Sequence, residues 1–248
     1  GAPPLVLSAM GGDAAIAAEL QALLGKVGLL DPPVDRQFGP VSHWALDVLL
    51  RNLGLPGAQV IDARAARAIL KASGSKLFPI KKRKSLASRL IRALLAKAYW
   101  IQRHPDCVNI VYVEGMDLDG TPNDDAPNVF NDVRFALRIT PSGLPDIVGA
   151  WEATSEPGTF HTVIKPLDPN GAARIAFGQY KAWSVGIHNA GKKSAHEALK
   201  QTASIKVHRD LNEDFERTGD PAFEGLFGIN QHHGFDLRKS SIGPGRAV

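Results

Sequence analysis

Near the C-terminus, the stretch Gly225-Leu226-Phe227-Gly228-Ile229-Asn230-Gln231-His232-His233-Gly234 ends an apolar run in two imidazoles and a glycine. Imidazole is the side chain best suited to move protons near neutral pH, and glycine lets a backbone or a substrate approach closely. The run Leu226 to Ile229 predicts a strand, whose end would hold His232 and His233 in a fixed geometry. Upstream, Gly178 to His188 mixes aromatic and hydrogen-bonding groups around Trp183, and Val207-His208-Arg209-Asp210 and Arg217-Thr218-Gly219-Asp220 add imidazole, guanidinium and carboxylate. Arg209 and Arg217 are candidate anchors for a substrate carboxylate, because a planar guanidinium binds carboxylates bidentately. His208 fits either the same groove or a purely structural place. His161, His188 and His196 read as isolated structural histidines, and Cys107 as a structural thiol.

The elements that must position these groups follow from periodicity. Ile16, Leu20, Leu23 and Leu24 recur at helical spacing over residues 13 to 25, with Gly25 and Gly28 suited to the helix end. Ser42 is placed to cap a second helix, His43 to Asn52, and a third covers Ala63 to Lys71. Lys76 to Ser85, with Pro79 and the basic run Lys81-Lys82-Arg83-Lys84, reads as a linker, followed by a helix from Leu86 to Ile101. After Cys107 the period changes to 2, predicting strands over Val108–Val113, Val133–Ile139 and Ile147–Thr154. The expected fold class is α+β: a small three-helix domain over residues 1–75, a basic linker and connecting helix over 76–104, and a mainly β domain with a few helices over 105–248.

Composition narrows the function classes. The 248 residues are 44% hydrophobic and 22% charged, as in ordinary globular proteins. No run approaches the roughly 18 apolar residues of a membrane span, and no signal peptide is visible at Gly1–Leu7. The single cysteine excludes an internal disulfide and a Cys-based zinc cluster. The net charge of +4 suits a polyanionic surface. Nucleic acid ranks last among such partners, because the basic run lacks interleaved aromatics. The spaced carboxylates of Asp117 to Asn128 invite a calcium reading, but the EF-hand's terminal Glu is missing and an Asx-rich loop is favoured.

Leu20-Gln21-Ala22-Leu23-Leu24, Gly28-Leu29-Leu30, Val34-Asp35-Arg36-Gln37-Phe38-Gly39-Pro40 and Trp44-Ala45-Leu46 together resemble the peptidoglycan-binding domain found beside many bacterial wall hydrolases. The likeness covers roughly residues 13 to 75. Family members commonly carry Asp-Gly-x-Phe-Gly in the loop, and here Arg36 stands in place of the first glycine. The resemblance implies that the Asp35–Gly39 loop, with Asp35 and Phe38, contacts wall muropeptide. An all-helical adaptor with a buried Phe and Trp is the alternative.

The second half, roughly residues 105 to 248, resembles an L,D-transpeptidase catalytic domain. Ser155-Glu156-Pro157-Gly158-Thr159-Phe160 matches that family's Thr/Ser-x-x-Gly-x-Phe segment, and Ile229-Asn230-Gln231-His232-His233-Gly234 loosely matches its Ile-x-His-Gly segment. The family's nucleophile is a Ser-x-Gly-Cys cysteine a little over a dozen residues on. No such motif occurs here, and sixteen residues follow His232. The cysteine is therefore expected beyond the residues given, with Ser240 to Arg246 as the loop leading to it. The resemblance implies a Cys/His mechanism on stem peptides, with His232 shuttling the proton, His233 its nearby competitor, and no cofactor. It also implies peptidoglycan as partner and an extracytoplasmic location, in periplasm or cell wall. Two rivals stay open. One is a metal-dependent peptidase using His208, Asp210, His232 and His233, for which no His-Glu-x-x-His is present. The other is a non-catalytic wall-binding protein, such as a phage or secretion component.

Overall fold

Three helices start at a side chain that accepts from their first backbone donors, and a fourth starts on a proline that lacks one. The computed structural model describes residues 5–7, 12–31, 34–71 and 78–233; Gly234 and the Ser240–Arg246 loop lie outside them. Helix α1 (Ala14–Lys26) is capped by Asp13, whose carboxylate accepts from the N–H groups of Ala15 and Ile16 at 2.9 and 3.1 Å. Gly25 is inside its last turn, and Gly28, at φ +81°, carries the chain out of it. Helix α2 (Pro40–Asn52) begins earlier than Ser42 predicts. Gly39 is its N-cap and Pro40 occupies the first turn, where a missing N–H costs nothing and φ is already helical. Helix α3 (Ala63–Leu70) is capped by Asp62. Helix α4 (Leu86–Ala96) is capped by Ser85 and stops five residues short of Ile101, because Ala98 turns left-handed at φ +57°.

Leu24, Leu29, Ala45, Leu49 and Ile69, from α1 to α3, are at most 1% exposed and share one core, with Phe38, Trp44 and Phe78 packed on it. Burial of such side chains stabilises by about 1.5–3 kcal/mol each. Strands β1 (Leu5–Val6) and β2 (Val60–Ile61) pair antiparallel beside them.

Strands β3 (Asn109–Val113), β4 (Asp132–Ile139) and β5 (Pro145–Ala153) form one sheet in that order. The fully buried Val133, Phe135, Leu137 and Ile139 give β4 its period of 2. Beyond it, β6 (Ala172–Ile175), β9 (Ile205–Asp210) and β10 (Ala222–Gly225) make an antiparallel sheet with β9 central. Strands β7 (Trp183–His188) and β8 (His196–Gln201) form a hairpin whose register ends on His188 opposite His196. The chain is thus α+β, with helices and antiparallel sheets. It divides into two compact units, Gly1–Ile110 with Ala136–Gly149, and Val111–Phe135 with Ala150–Val248.

The loop after α1 is organised by one buried amide. Gln21 is 4% exposed. Its Nε2 donates to Asp35 Oδ1 and the Gln37 carbonyl at 2.7 and 2.9 Å and lies 3.2 Å from Ser42 Oγ, and its Oε1 accepts from the Arg36 N–H at 2.9 Å. Holding these partners puts Arg36 at φ +64°, the region that favours glycine. A side chain there costs about 1–2 kcal/mol, offset in part by glycine's larger unfolded-state entropy. In urea unfolding, Arg36→Gly is expected to raise stability by up to about 1 kcal/mol. Arg36→Val is expected to lower it by at least about 1 kcal/mol.

Candidate functional site

Residues 226–230 are not a strand; the pairing strand is β10, which ends at Gly225, and Gly228 breaks the extended run at φ +73°. The segment is instead zipped onto the β7–β8 hairpin by side chains. Gln201 Oε1 accepts from the N–H groups of Phe227 and Ile229 at 3.0 and 3.2 Å, and its Nε2 donates to the carbonyls of Ala203 and Gly225 at 2.9 and 3.0 Å. Trp183 Nε1 donates to the Ile229 carbonyl at 2.9 Å. Gln231 then exchanges both backbone hydrogen bonds with Leu199 at 2.8 Å.

This delivers His232 and His233 to the end of the hairpin, where His188 and His196 face each other. His188 and His232 stack with centroids 4.5 Å apart and planes 14° from parallel. His196 lies 5.0 Å from His232 and 4.7 Å from His233, edge-on to both. His188 and His196 are therefore not isolated. They are a cross-strand pair, and side chains directly opposite on antiparallel strands come into contact. The turn signal Asn189-Ala190-Gly191 between two β-patterned runs was the available clue to it.

Hydrogen bonds assign the tautomers. Asn230 Oδ1 accepts from the Gln201 N–H, so its amide nitrogen faces His188 Nδ1 at 3.1 Å, and that ring nitrogen is the acceptor. His196 Nδ1 donates to the Ser194 carbonyl, and His232 Nδ1 to the His233 carbonyl, both at 2.8 Å. In the neutral ring of His232 the basic lone pair is then on Nε2. Loss of solvent depresses the pKa of His188, and the positive charges of His232, His196, Lys192 and Lys200 add to the shift.

The other sequence candidates have internal partners. Arg209 pairs with Asp168 at 3.0 Å, donates to the Gly171 carbonyl at 3.0 Å and lies 5.3 Å over Phe227. Arg217 meets Glu114 bidentately, donates to the Ile175 carbonyl at 3.1 Å and lies 4.5 Å over Phe177. A substrate carboxylate at either fork would compete with a protein carboxylate. Asp35 and Phe38 are in the Gln21 loop. The Gln37 N–H and then the Gln21 amide hold Asp35 below the usual carboxylate range, and Phe38 packs edge-on against His43 at 4.8 Å.

His208 approaches the Asp220 carbonyl at 3.4 Å, and Asp210 gives its two oxygens to the N–H groups of Asp214 and Phe215. Among the described residues no set of three or more His, Cys, Asp or Glu side chains is arranged to hold a metal ion. Cys107 is half-buried, and burial, with Asp106 adding to it, pushes its thiol pKa up. That makes it a poor nucleophile. In the Asp117–Asn128 loop, Asp119 accepts from the N–H and hydroxyl of Thr121, an Asx turn.

Ser155, singled out in the Ser-x-x-Gly-x-Phe segment, meets two acids that sequence reasoning missed, Glu114 and Asp132. The Ser155 hydroxyl lies 2.7 Å from both Glu114 Oε1 and Asp132 Oδ2. A hydroxyl has one proton to donate, so the two carboxylates compete for it, and Asp132 Oδ2 also accepts the Ser155 N–H at 2.7 Å. Burial pushes Asp132 above the usual carboxylate range against the pull of these hydrogen bonds. Downstream, Phe160–Ile164 forms a π-helical turn, a form often found at functional sites.

Compared with known protein families, curated proteins and solved structures, the chain matches none. No helix among the described residues is long and apolar enough to cross a membrane.

A depressed imidazole pKa favours the neutral ring in the folded state. Its contribution is therefore fully present above the ordinary value of 6.5 and is lost as the pH falls through the lower folded value. In an NMR titration, the His188 ring is expected to take up its proton below pH 6.5. Thermal stability should fall over the same range, and His188→Gln should flatten that fall. A His188 midpoint above 6.5 would contradict the packing described.

Proposed function

We propose that the chain binds bacterial peptidoglycan and acts on its stem peptides by acyl transfer or hydrolysis, with His232 as the proton shuttle. The observation that carries this reading is the orientation of His232. Its Nδ1–H is held by a backbone carbonyl and its ring is stacked on His188, which leaves Nε2 as the basic nitrogen. A general base needs that arrangement: one ring nitrogen fixed, the other free for the reacting proton.

In this reading His232 Nε2 takes the proton of a cysteine thiol, and the thiolate attacks a stem-peptide carbonyl. The C–N bond breaks as the amine leaves with the proton, giving an acyl-enzyme that an amine or water resolves. The residues described contribute the base and its setting to that step. Wall binding falls to the three-helix N-terminal domain. There Val34 to Gln37 are exposed, and Arg36 adopts the backbone that suits the family's glycine. An extracytoplasmic location follows from the substrate.

The test uses the full-length natural protein and purified peptidoglycan. Both wild type and His232→Ala are expected to sediment with insoluble sacculi, and only wild type to change the muropeptide profile. Sedimentation with unchanged profiles for both proteins would leave wall binding alone. Failure of wild type to sediment would overturn the binding half.

A further inference from the structure

Charge is distributed unevenly along the chain. Between Asp62 and Asp106, residues 63–105 hold 12 of the 29 Lys and Arg and none of the 25 Asp and Glu. The rest of the chain therefore holds 17 cations against 25 anions. The net charge of +4 hides one strongly basic segment in an acidic remainder. A segregated block of cations is the electrostatic footprint of a polyanionic partner.

Part of that segment is a built surface. Lys81, Lys82, Arg83 and Lys84 are all exposed, but their backbone is tied down at two points. The Lys81 N–H donates to the Gly143 carbonyl at 2.8 Å, and the Arg83 N–H to the Oγ of the buried Ser88 at 3.0 Å. Arg92 Nη1 reaches the Arg83 carbonyl at 3.5 Å, and Arg89 lies three residues before Arg92 on the exposed side of α4. A solvated linker needs none of these ties. Among the described residues, none of Lys81, Lys82, Arg83, Lys84 and Arg92 is ion-paired with a carboxylate. The run also meets the unfavourable pole of a helix. Lys84 adjoins the Ser85 cap of α4, whose first turn carries no acid, so the cations crowd the positive end of the helix dipole. Like charges there repel one another, and an anion laid across them removes the repulsion.

The surroundings narrow the choice of polyanion. No aromatic side chain occurs from Lys81 to Lys97, so nucleic-acid bases have nothing to stack on. Leu95, 37% exposed, is the only large apolar side chain exposed in that span, too little to enter a bilayer. Phosphodiester charge without bases or acyl chains fits what is left. We propose that Lys81–Lys84, Arg89 and Arg92 form a docking surface for a flexible polyol-phosphate polymer of the kind attached to bacterial walls. The wall as the polymer's source rests on the function proposed above; the demand for phosphodiester charge rests on the surface alone.

The test titrates the full chain into end-labelled poly(glycerol phosphate), free of peptidoglycan, and reads fluorescence anisotropy. A Kd on the order of 10 μM is expected at about 0.1 M salt. With six cations each releasing about 0.7 counterion, affinity should fall about 300-fold between about 50 and 200 mM salt. Lys81→Gln, Lys82→Gln, Arg83→Gln and Lys84→Gln together should weaken binding at least about tenfold and cut the logarithmic salt slope from about −4 to about −1.5. The same loss of charge spread as Lys→Gln over the exposed Lys26, Lys165, Lys193 and Lys206 should leave the Kd within about twofold. Every replaced side chain is exposed, so an unchanged thermal midpoint in both variants separates binding from folding. An equal loss in the scattered variant, no saturable change up to about 1 mM protein, or tighter binding to DNA or to phosphatidylserine vesicles at equal phosphate concentration would each overturn the surface. Peptidoglycan is absent from this titration and the polymer from purified peptidoglycan, so either experiment can fail while the other succeeds.

Discussion

Glu114 meets Arg217 across 103 residues of sequence, and the second unit is built around that contact. The guanidinium is a node as much as a charge. It also holds the Ile175 carbonyl at the end of β6 and lies on Phe177. Glu114 passes the constraint on through the Ser155 hydroxyl to Asp132 at the start of β4. A bidentate, largely buried pair is strongly destabilising to break, by about 3–5 kcal/mol, because the remaining partner is left as an unmatched charge. Five stretches distant in sequence, at Glu114, Asp132, Ser155, Ile175 and Arg217, are thereby tied to one point.

Neutral amides do the finer positioning. Gln21 gathers the Asp35–Gln37 loop and Ser42, and Gln201 gathers Gly225 to Ile229. An amide supplies two donors and an acceptor from one rigid plane, so it can organise an irregular segment that has no ladder of its own. The histidine cluster depends on this. Gln201, Trp183 and Asn230 add to the Leu199–Gln231 bridge and to the packing of Phe227 and Ile229 in fixing the chain from Gly225 to His233.

Helix positions were legible because periodicity is local: the starts expected at residues 13, 63 and 86 fall within one residue of Ala14, Ala63 and Leu86. Ser42 misled because it competes with Pro40, and proline's fixed φ starts the helix three residues sooner than His43. Leu86 to Ile101 keeps its apolar spacing past the point where Ala98 turns left-handed. The chemistry was half legible. His232 and His233 stand out as adjacent imidazoles, but His188 and His196 join them through a hairpin register that period-2 patterning alone does not fix. Glu114 and Asp132 gave no signal, since a carboxylate on a strand is ordinarily solvated, and their burial follows only from long-range partners. Arg209 and Arg217 were read as free forks for the same reason: sequence shows the guanidinium and hides the carboxylate it has already found.

The Gln21 hub has a consequence for how the molecule meets acid. Its contacts carry no titrating imidazole, and the one acid among them, Asp35, is held in its ionised form by the Gln37 N–H and the Gln21 amide. The hairpin end, by contrast, packs four imidazoles against one another. As a surrounding medium sours, the loop after α1 keeps an acid that its hydrogen bonds hold ionised, while at the hairpin end the protein works against the charged form of His188.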